Sequence, residues 1–201
     1  MIAVEMNPAV VVGAILFSYF LGTFPSAIMV AKRGGIDVTA AGSRNPGTSN
    51  VVRLLGWKYG AVVFALDMGK GALAAAIGGA IARQQVSVMA YVCLAAAVIG
   101  HTFPVTRKFK GGKGVATGGG AMFVVHPLIS LVLFLSWFAI RKIGKASSVG
   151  SLTITIALPI AVALGGGQPW EIAALSVLAL LIVIRHLGNI QRLRTKQEPT
   201  V

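Results

Sequence analysis

Residues 110–140, KGGKGVATGGGAMFVVHPLISLVLFLSWFAI, join a glycine-rich basic segment to a long apolar run. Six glycines, two lysines and a threonine fall within residues 110–120, which we call the glycine loop. Glycine lets several backbone N–H groups converge on one oxyanion, and lysine adds fixed positive charge. The glycine loop is therefore predicted to bind an anion such as phosphate where the chain enters an apolar segment.

The composition is that of a polytopic membrane protein. Hydrophobic residues make up 56% of the chain and charged residues 11%, against about 45–50% and about 25% in soluble domains. The sequence predicts an all-α bundle forming one integral-membrane domain over residues 1–201, with no cleavable signal segment and, with Cys93 alone, no internal disulfide. Apolar runs long enough to cross a bilayer cover approximately residues 8–31, 57–82, 86–106, 114–140, 148–165 and 169–186.

The net charge of +13 follows the positive-inside rule, so it does not require a nucleic-acid partner. Connections bearing Glu5, Arg83 and Glu171 are nearly bare of other charge and are expected outside, with the N-terminus outside and the C-terminus inside. The basic segments, expected in the cytoplasm, are residues 32–58, 107–113, 141–145 and 185–196.

The run 114–140 has a basic segment at each end, so a single crossing would put one of them outside. It is too short for two full spans and long enough for two half-length helices. His126-Pro127 is the best turn, because proline disfavours helix at the residue before it. We predict a short half-span hairpin near 114–140 and about seven transmembrane helical segments.

The first cytoplasmic loop contains residues 42–53, GSRNPGTSNVVR. Thr48, Ser49 or Asn50 is predicted to N-cap a short helix, whose N-terminus attracts phosphate. Arg53 would lie one turn in, where it could make bidentate contacts with an oxyanion. The alternative is an ordinary capped turn with solvated arginines.

Further polar residues have simpler interpretations. Asp67 and Lys70 are spaced i, i+3 and are predicted to pair with each other. His101 is interpreted as a satisfied interfacial histidine, and Ser147 and Ser148 as helix caps. The glycines expected to allow close helix packing are Gly56, Gly69, Gly71, Gly78 and Gly79.

The glycine loop fails the test for a nucleotide-binding loop. That motif needs a glycine six residues before its lysine and Ser or Thr directly after it. Relative to Lys113, those positions hold Arg107 and Gly114, and no acidic residue is placed to hold magnesium. The sequence indicates a phosphate loop without NTPase machinery.

The C-terminal segment 185–194, RHLGNIQRLR, is predicted to continue the last helix. On such a helix, one face would carry Arg185, His186, Asn189 and Arg192. Lipid headgroups would explain the arginines but not the His/Asn pair. Together the polar segments favour a strongly anionic substrate with more than one phosphate, and an acyl chain between the helices.

Three motifs carry a family resemblance. GSRNPGTSNVVR (42–53), KFKGGKGVAT (108–117) and RHLGNIQRL (185–193) resemble the motifs of bacterial acyl-phosphate:glycerol-3-phosphate acyltransferases, and LDMGKG (66–71) is also similar to that family. The resemblance runs from about residue 10 to 198. It implies a seven-helix enzyme of the bacterial inner membrane that starts phospholipid synthesis by making lysophosphatidic acid and phosphate from acyl phosphate and glycerol 3-phosphate.

The resemblance implies no cofactor and no metal. The expected partners are the two substrates, membrane lipid and the soluble enzyme that makes acyl phosphate. The residue before Glu198 departs from the family pattern, in which that residue is often a glycine. Glu198 is therefore expected to be structural. The expected catalytic residues are Ser43, Arg53, Lys113, His186 and Asn189, and the expected substrate-binding residues are Asn45, Thr48, Asn50, Gly111, Gly112, Gly114 and Ser151.

Acyl phosphate is already activated, so the acceptor hydroxyl is expected to attack it directly, with the departing phosphate taking the proton. Asp37 and His186 are the alternative protein bases. An acyl-enzyme on Ser43 is a further alternative, although its loop holds no His/Asp partner. An organic-anion or phosphate transporter is the alternative function, and a headgroup phosphotransferase is a weaker one because only Asp37 and Asp67 could hold metal.

Overall fold

The computed structural model describes residues 6–143 and 146–200, in which ten α-helices and one 3₁₀ helix occur and no strand is present. Glu5 and Lys145, which belong to the charge pattern that predicts the membrane orientation, lie outside the described residues. The elements are α1 Pro8–Thr23, α2 Ser26–Arg33, α3 Thr48–Leu55, α4 Trp57–Ala82, α5 Val88–Thr102, the 3₁₀ helix Val105–Arg107, α6 Val115–Val125, α7 Pro127–Lys142, α8 Ser147–Leu164, α9 Pro169–Arg185 and α10 Leu187–Arg194.

Within the described part of the chain, four helical stretches are long and apolar enough to cross a membrane. A fifth is added if α9 and α10 form one bent span. The all-α membrane architecture is thereby confirmed, whereas the total of seven segments stays a prediction. The four stretches are Pro8–Arg33, Trp57–Ala82, Val88–Arg107 and Ser147–Leu164.

The helix break at His126 lies where the sequence predicts a turn. Pro127 is the first residue of α7, and His126 has non-helical backbone angles (φ −132°, ψ 73°). The 11 residues of α6 span about 16 Å and the 16 residues of α7 about 24 Å. Because α7 exceeds half of a bilayer core of about 30 Å, it is longer than expected for a half-helix, and the hairpin itself stays a prediction.

The chain divides into two compact units, Met1–Val125 and His126–Val201, so the single domain also stays a prediction. In the first unit, α4 packs against α5 and α6, and α1 packs against α5. Glycines allow these close approaches: a Cβ at Gly71 would overlap the Thr117 carbonyl, and one at Gly100 would overlap that of Tyr19. Small residues at such crossings are typical of membrane helices.

The predicted helix-packing glycines are therefore partly confirmed. Gly71 and Gly78 meet backbone atoms of neighbouring helices, and Gly79 meets the loop after α4. A Cβ added at Gly56 or Gly69 would have no atom within 4 Å, so the packing function expected of these two glycines is wrong. Gly56 instead joins α3 to α4 with φ +84°, a left-handed conformation that favours glycine.

The second unit contains α7, α8 and α9, with α8 packed against both of the other two. Glu171 lies in the first turn of α9 and accepts the Gln168 N–H at 2.8 Å in a capping box. Its second oxygen lies 2.8 Å from His126 Nε2. This buried carboxylate therefore ties the start of α7 to the start of α9.

Candidate active site

Asn50 organises the first-motif loop from inside. Its side chain is 1% exposed, and Oδ1 accepts the Ser43 N–H at 2.9 Å and Arg53 Nη1 at 3.3 Å. Nδ2 donates to the carbonyl oxygens of Val38 and Ala41, each at 3.1 Å. Asn50 thus brings two predicted site residues, Ser43 and Arg53, together. Both ends of its own side-chain amide are hydrogen-bonded within this part of the chain.

The predicted cap of the helix in this loop is wrong. Gly47, in extended conformation, is the N-cap of α3, no side chain caps the helix, and Thr48 is its first residue. Asn50 cannot cap because its amide is directed back into the loop. The N-terminal turn of α3, with its partial positive charge, therefore lies beside Asn45 and Thr48 without a capping side chain.

Asp37 is poorly suited to act as the general base. Its Oδ1 accepts hydrogen bonds from the Thr39 hydroxyl at 2.6 Å and the Thr39 N–H at 2.8 Å. These bonds, led by that of the hydroxyl, lower the pKa of Asp37 below its ordinary value. A weaker base is a poorer proton acceptor near neutral pH.

The structure divides the glycine loop into two parts. Residues 110–114 are irregular, whereas Gly118, Gly119 and Gly120 lie within α6. Gly120 packs against the Met68 backbone, so its lack of a side chain serves helix packing rather than anion binding. Helix formation begins at Val115, inside the run 114–140 where half-length helices are predicted, so only residues 110–114 remain as an irregular loop.

The remaining loop brings Lys113 to the start of α6. Lys113 is half-buried, while Gly111, Gly112 and Gly114 are buried. Gly114 has φ +87°, and the Gly112 N–H donates to the His101 carbonyl at 3.1 Å. The Gly112 amide is thus used to shape the loop.

The third motif is bent at His186. The axes of α9 and α10 differ by 56°, so the predicted continuous helix with one polar face is wrong. His186 lies at the junction (φ −100°, ψ 3°) and is 2% exposed. Its Nδ1 donates to the Ile182 carbonyl at 2.8 Å, and its own carbonyl accepts the Asn189 N–H at 2.8 Å.

Glu198 anchors this motif. It accepts hydrogen bonds from Ser148 Oγ at 2.8 Å, Asn189 Nδ2 at 2.5 Å and Arg192 Nε at 2.7 Å. Burial acts to raise the pKa of Glu198, but these bonds and the charge of Arg192 outweigh it and lower the pKa. The chain therefore folds back so that a carboxylate fixes the Asn189 amide.

The expected caps of α8 are also wrong, because Ala146 is its N-cap and no side chain caps it. Ser148 instead contacts Glu198. Ser151, one turn further, lies 3.3 Å from Trp137 Nε1, and the Trp137 ring packs against Gly150. Trp137 carries no local sequence signal for this contact, which explains why sequence reasoning missed it.

The expected site residues are thus distributed over both units, each of which is described by itself. Among the described residues, no group of three or more His, Cys, Asp or Glu side chains could hold a metal ion. The first unit holds Ser43, Asn45, Thr48, Asn50, Arg53, Gly111, Gly112, Lys113 and Gly114, and the second holds Ser151, His186 and Asn189.

Comparison with known proteins gives concordant results. The family model for glycerol-3-phosphate acyltransferase matches residues 12–196. A protein of that name from Aquifex aeolicus is 39% identical over 92% of this chain and 95% of its own length. One from Exiguobacterium sibiricum is 36% identical over 95% and 93%, respectively.

Two solved structures share the fold. The crystal structure of PlsY (YgiH), an integral membrane glycerol 3-phosphate acyltransferase, in its glycerol 3-phosphate form has a TM-score of 0.90, with 37% identity over 95% of both chains. The lysophosphatidic acid form has a TM-score of 0.87, with 37% identity over 94% of both chains. These relatives are acyltransferases and lend no support to the transporter alternative. The chain is a multi-pass membrane protein that belongs to the glycerol-3-phosphate acyltransferase family.

Proposed function

We propose that this protein transfers a fatty acyl group from acyl phosphate to the 1-hydroxyl of glycerol 3-phosphate. The observation that carries the proposal is the near full-length similarity to PlsY structures in glycerol 3-phosphate and lysophosphatidic acid forms. These two molecules are the acceptor and the product of one acylation. The acyl-phosphate donor comes from the motif resemblance, and its supply by a soluble enzyme belongs to the same proposal.

The reaction balances without a cofactor. The acceptor hydroxyl oxygen attacks the carbonyl carbon, and the bond from that carbon to the phosphate oxygen breaks. The leaving phosphate keeps the electron pair and takes the hydroxyl proton, so the products are lysophosphatidic acid and hydrogen phosphate. Holding both substrates in attack geometry supplies much of the acceleration.

The cationic groups of the first unit would stabilise the charge that develops on the phosphate and carbonyl oxygens. Arg53 is oriented by Asn50, and Lys113 precedes the N-terminus of α6 by two residues. The positive end of α3, which no side chain caps, is a further anion-binding element. We assign Ser43, Asn45 and Thr48 to hydrogen bonding with phosphate oxygens.

His186 is proposed to position the glycerol moiety rather than act as the base. Its Nδ1–H donates to a neutral carbonyl, whereas catalytic triads place a carboxylate there to stabilise the charged ring. This hydrogen bond orients the neutral ring with the lone pair on Nε2. Asn189, held by Glu198, would bind a second glycerol oxygen, and Ser151 a phosphate oxygen.

The donor can be tested with purified protein in detergent. Glycerol 3-phosphate is supplied with acyl phosphate, acyl-CoA or acyl carrier protein, and lysophosphatidic acid and phosphate are measured. Turnover with acyl phosphate alone is expected. Lys113→Ala should lose it, and Lys58→Ala, which removes an exposed lysine at the start of α4, should retain it. Absence of product with every donor would refute the proposal.

The assignment of the base is tested with His186→Gln. If His186 only positions glycerol, the variant should have a raised KM for glycerol 3-phosphate with residual kcat. Abolished turnover with intact binding of glycerol 3-phosphate would identify His186 as the base. A covalent acyl adduct trapped on Ser43 would overturn direct transfer.

We further propose that the protein lies in the bacterial inner membrane with the motifs on the cytoplasmic face, the N-terminus outside and the C-terminus inside. The support is the distribution of basic segments. In a Cys93→Ala background, Lys142→Cys should react with an impermeant thiol reagent only from the cytoplasmic side. Gln84→Cys should react only from the outside, and the reverse pattern would refute the orientation.

A further inference from the structure

Four buried polar side chains of the first unit form a connected group, which we call the Lys70 cluster: Ser26, Asp67, Lys70 and His101. Each is at most 6% exposed. Asp67 Oδ1 accepts from Ser26 Oγ at 2.5 Å and from Lys70 Nζ at 2.8 Å. The predicted pairing of Asp67 with Lys70 is confirmed, but the pair is part of a larger network.

Lys70 has three acceptors around its amino group. They are Asp67 Oδ1 at 2.8 Å, His101 Nδ1 at 2.8 Å and the Phe24 carbonyl at 3.3 Å. An ammonium group has three N–H donors and no acceptor, so this environment matches charged Lys70. His101 Nδ1 must then accept, which places the hydrogen of the neutral ring on Nε2.

His101 is bonded to Lys70 rather than to Asp67. Its Nδ1 lies 3.7 Å from Asp67 Oδ1, beyond hydrogen-bond distance, against 2.8 Å from Lys70 Nζ. The expectation that His101 is satisfied is confirmed by this contact, with the side chain buried against the glycine loop, while its place at the membrane interface stays a prediction. Asp67 therefore acts on His101 through the ammonium group.

The other side of His101 contacts the glycine loop. Its carbonyl accepts the Gly112 N–H at 3.1 Å, and a Cβ at Gly112 would overlap Nε2 and lie 2.9 Å from Cε1. A Cβ at Gly111 would overlap the same carbonyl. The backbone immediately before Lys113 is thus packed closely against His101.

The Lys70 cluster also borders the first motif. One crevice is lined by Lys70 and His101 together with Pro46 of the first-motif loop and Arg107. A buried ion pair carries a large desolvation cost and is often no more stabilising than apolar residues of similar volume. Its charge therefore suggests a function beyond holding α4 in place.

We propose that Asp67, Lys70 and His101 are positioning residues that set the glycine loop and, through it, Lys113. In this proposal Asp67 holds the Lys70 ammonium group, and Lys70 orients the His101 ring. His101 in turn fixes the backbone at Gly112. None of the three is assigned contact with the reacting atoms. This inference rests on the proposed function, since Lys113 is the group being positioned.

The first test separates positioning from folding. Lys70→Met leaves Asp67 charged and unpaired and is a poor probe, because the variant can fail to fold. The double variant Asp67→Asn/Lys70→Met removes both charges, and Gly69→Ala on α4 serves as the folded control. We expect the double variant to elute and unfold as the parent does, while kcat falls about 100-fold, the scale of a 1 Å misplacement.

The second test observes the ring itself. The chain has three histidines, so ¹⁵N-histidine labelling with His101→Gln as the assignment control identifies the His101 signals. The parent should show an Nε2–H tautomer, and the double variant a mixture of tautomers. Lys70→Arg keeps a charged donor. Compared with the double variant, it should therefore show a larger fraction of the Nε2–H tautomer and a higher kcat.

The outcomes are distinguishable from failure of the proposed function. If the parent makes no lysophosphatidic acid, the proposed function fails whatever the tautomer. If the parent is active and the folded double variant matches its kcat, the positioning inference is refuted. An Nδ1–H tautomer of His101 in the parent refutes the assigned order of hydrogen bonds.

Discussion

Gly71→Ala is expected to displace the start of α6 and, with it, residues 110–114 of the glycine loop. Gly71 lies on α4, and a Cβ there would sit 1.8 Å from the carbonyl oxygen of Thr117 in the first turn of α6. An ordinary carbon–oxygen contact is about 3.3 Å, so α4 and α6 would have to separate by about 1.5 Å. Lys113 precedes α6 by two residues and would move with it.

The magnitude follows from comparison with Gly69→Ala. Gly69 has no atom within 4 Å of the corresponding Cβ position, so alanine there should be neutral or gain up to about 1 kcal/mol of helix propensity. Overpacking at Gly71 costs about 1–3 kcal/mol, less the same propensity gain. We expect Gly71→Ala to be less stable than Gly69→Ala by about 1–3 kcal/mol and slower by about 100-fold in kcat.

The assay is matched. Both variants are purified in one detergent, their unfolding midpoints are measured by tryptophan fluorescence, and lysophosphatidic acid formation is followed at saturating substrate. Equal midpoints and equal kcat values for the two variants would refute the close packing of α4 and α6. A large loss for Gly69→Ala would refute the statement that its position is open.

Three further predictions concern individual contacts. Glu198→Gln should lose about 1–3 kcal/mol of stability. Because the folded pKa of Glu198 is lowered from 4.5, the stabilisation is present above that value and lost as the pH falls through the folded pKa. The unfolding midpoints of the parent should therefore converge with those of the variant at acidic pH, and a constant gap between them would contradict this. Asn50→Ala should cost about 1–3 kcal/mol for its lost hydrogen bonds and increase amide exchange at Ser43, unchanged exchange being the contrary result. Trp137→Phe keeps an aromatic ring but removes the donor to Ser151, so KM for glycerol 3-phosphate should rise a few-fold with the unfolding midpoint nearly unchanged; an unaltered KM would separate Ser151 from substrate binding.

The class of protein and the approximate positions of its membrane helices can be predicted from the amino-acid sequence. These properties depend on runs of apolar residues and on charge at their ends, which can be read locally. The break before α7 was equally accessible, because Pro127 disfavours helix at His126 through steric contact between neighbouring residues. The three motifs identified the family in the same way.

Side chains that have a choice of hydrogen-bond partners were predicted wrongly from the sequence. Asn50 is a good helix cap in isolation, but its amide instead bonds two carbonyls, an amide and Arg53. Ser148, in the first turn of α8, likewise donates to Glu198 and does not cap the helix. Local propensity favours capping in both cases, and tertiary contacts override it.

Which glycines shape a loop and which allow helices to touch depends on the packing of the folded chain. Gly112 and Gly120 both belong to the glycine loop, yet Gly112 packs against the His101 ring and Gly120 packs against the Met68 backbone. The partners come from distant parts of the chain: Lys70 and His101 are 31 residues apart, and Ser148 and Glu198 are 50 apart. Such contacts depend on how packed helices align, so spacing along the chain does not determine them.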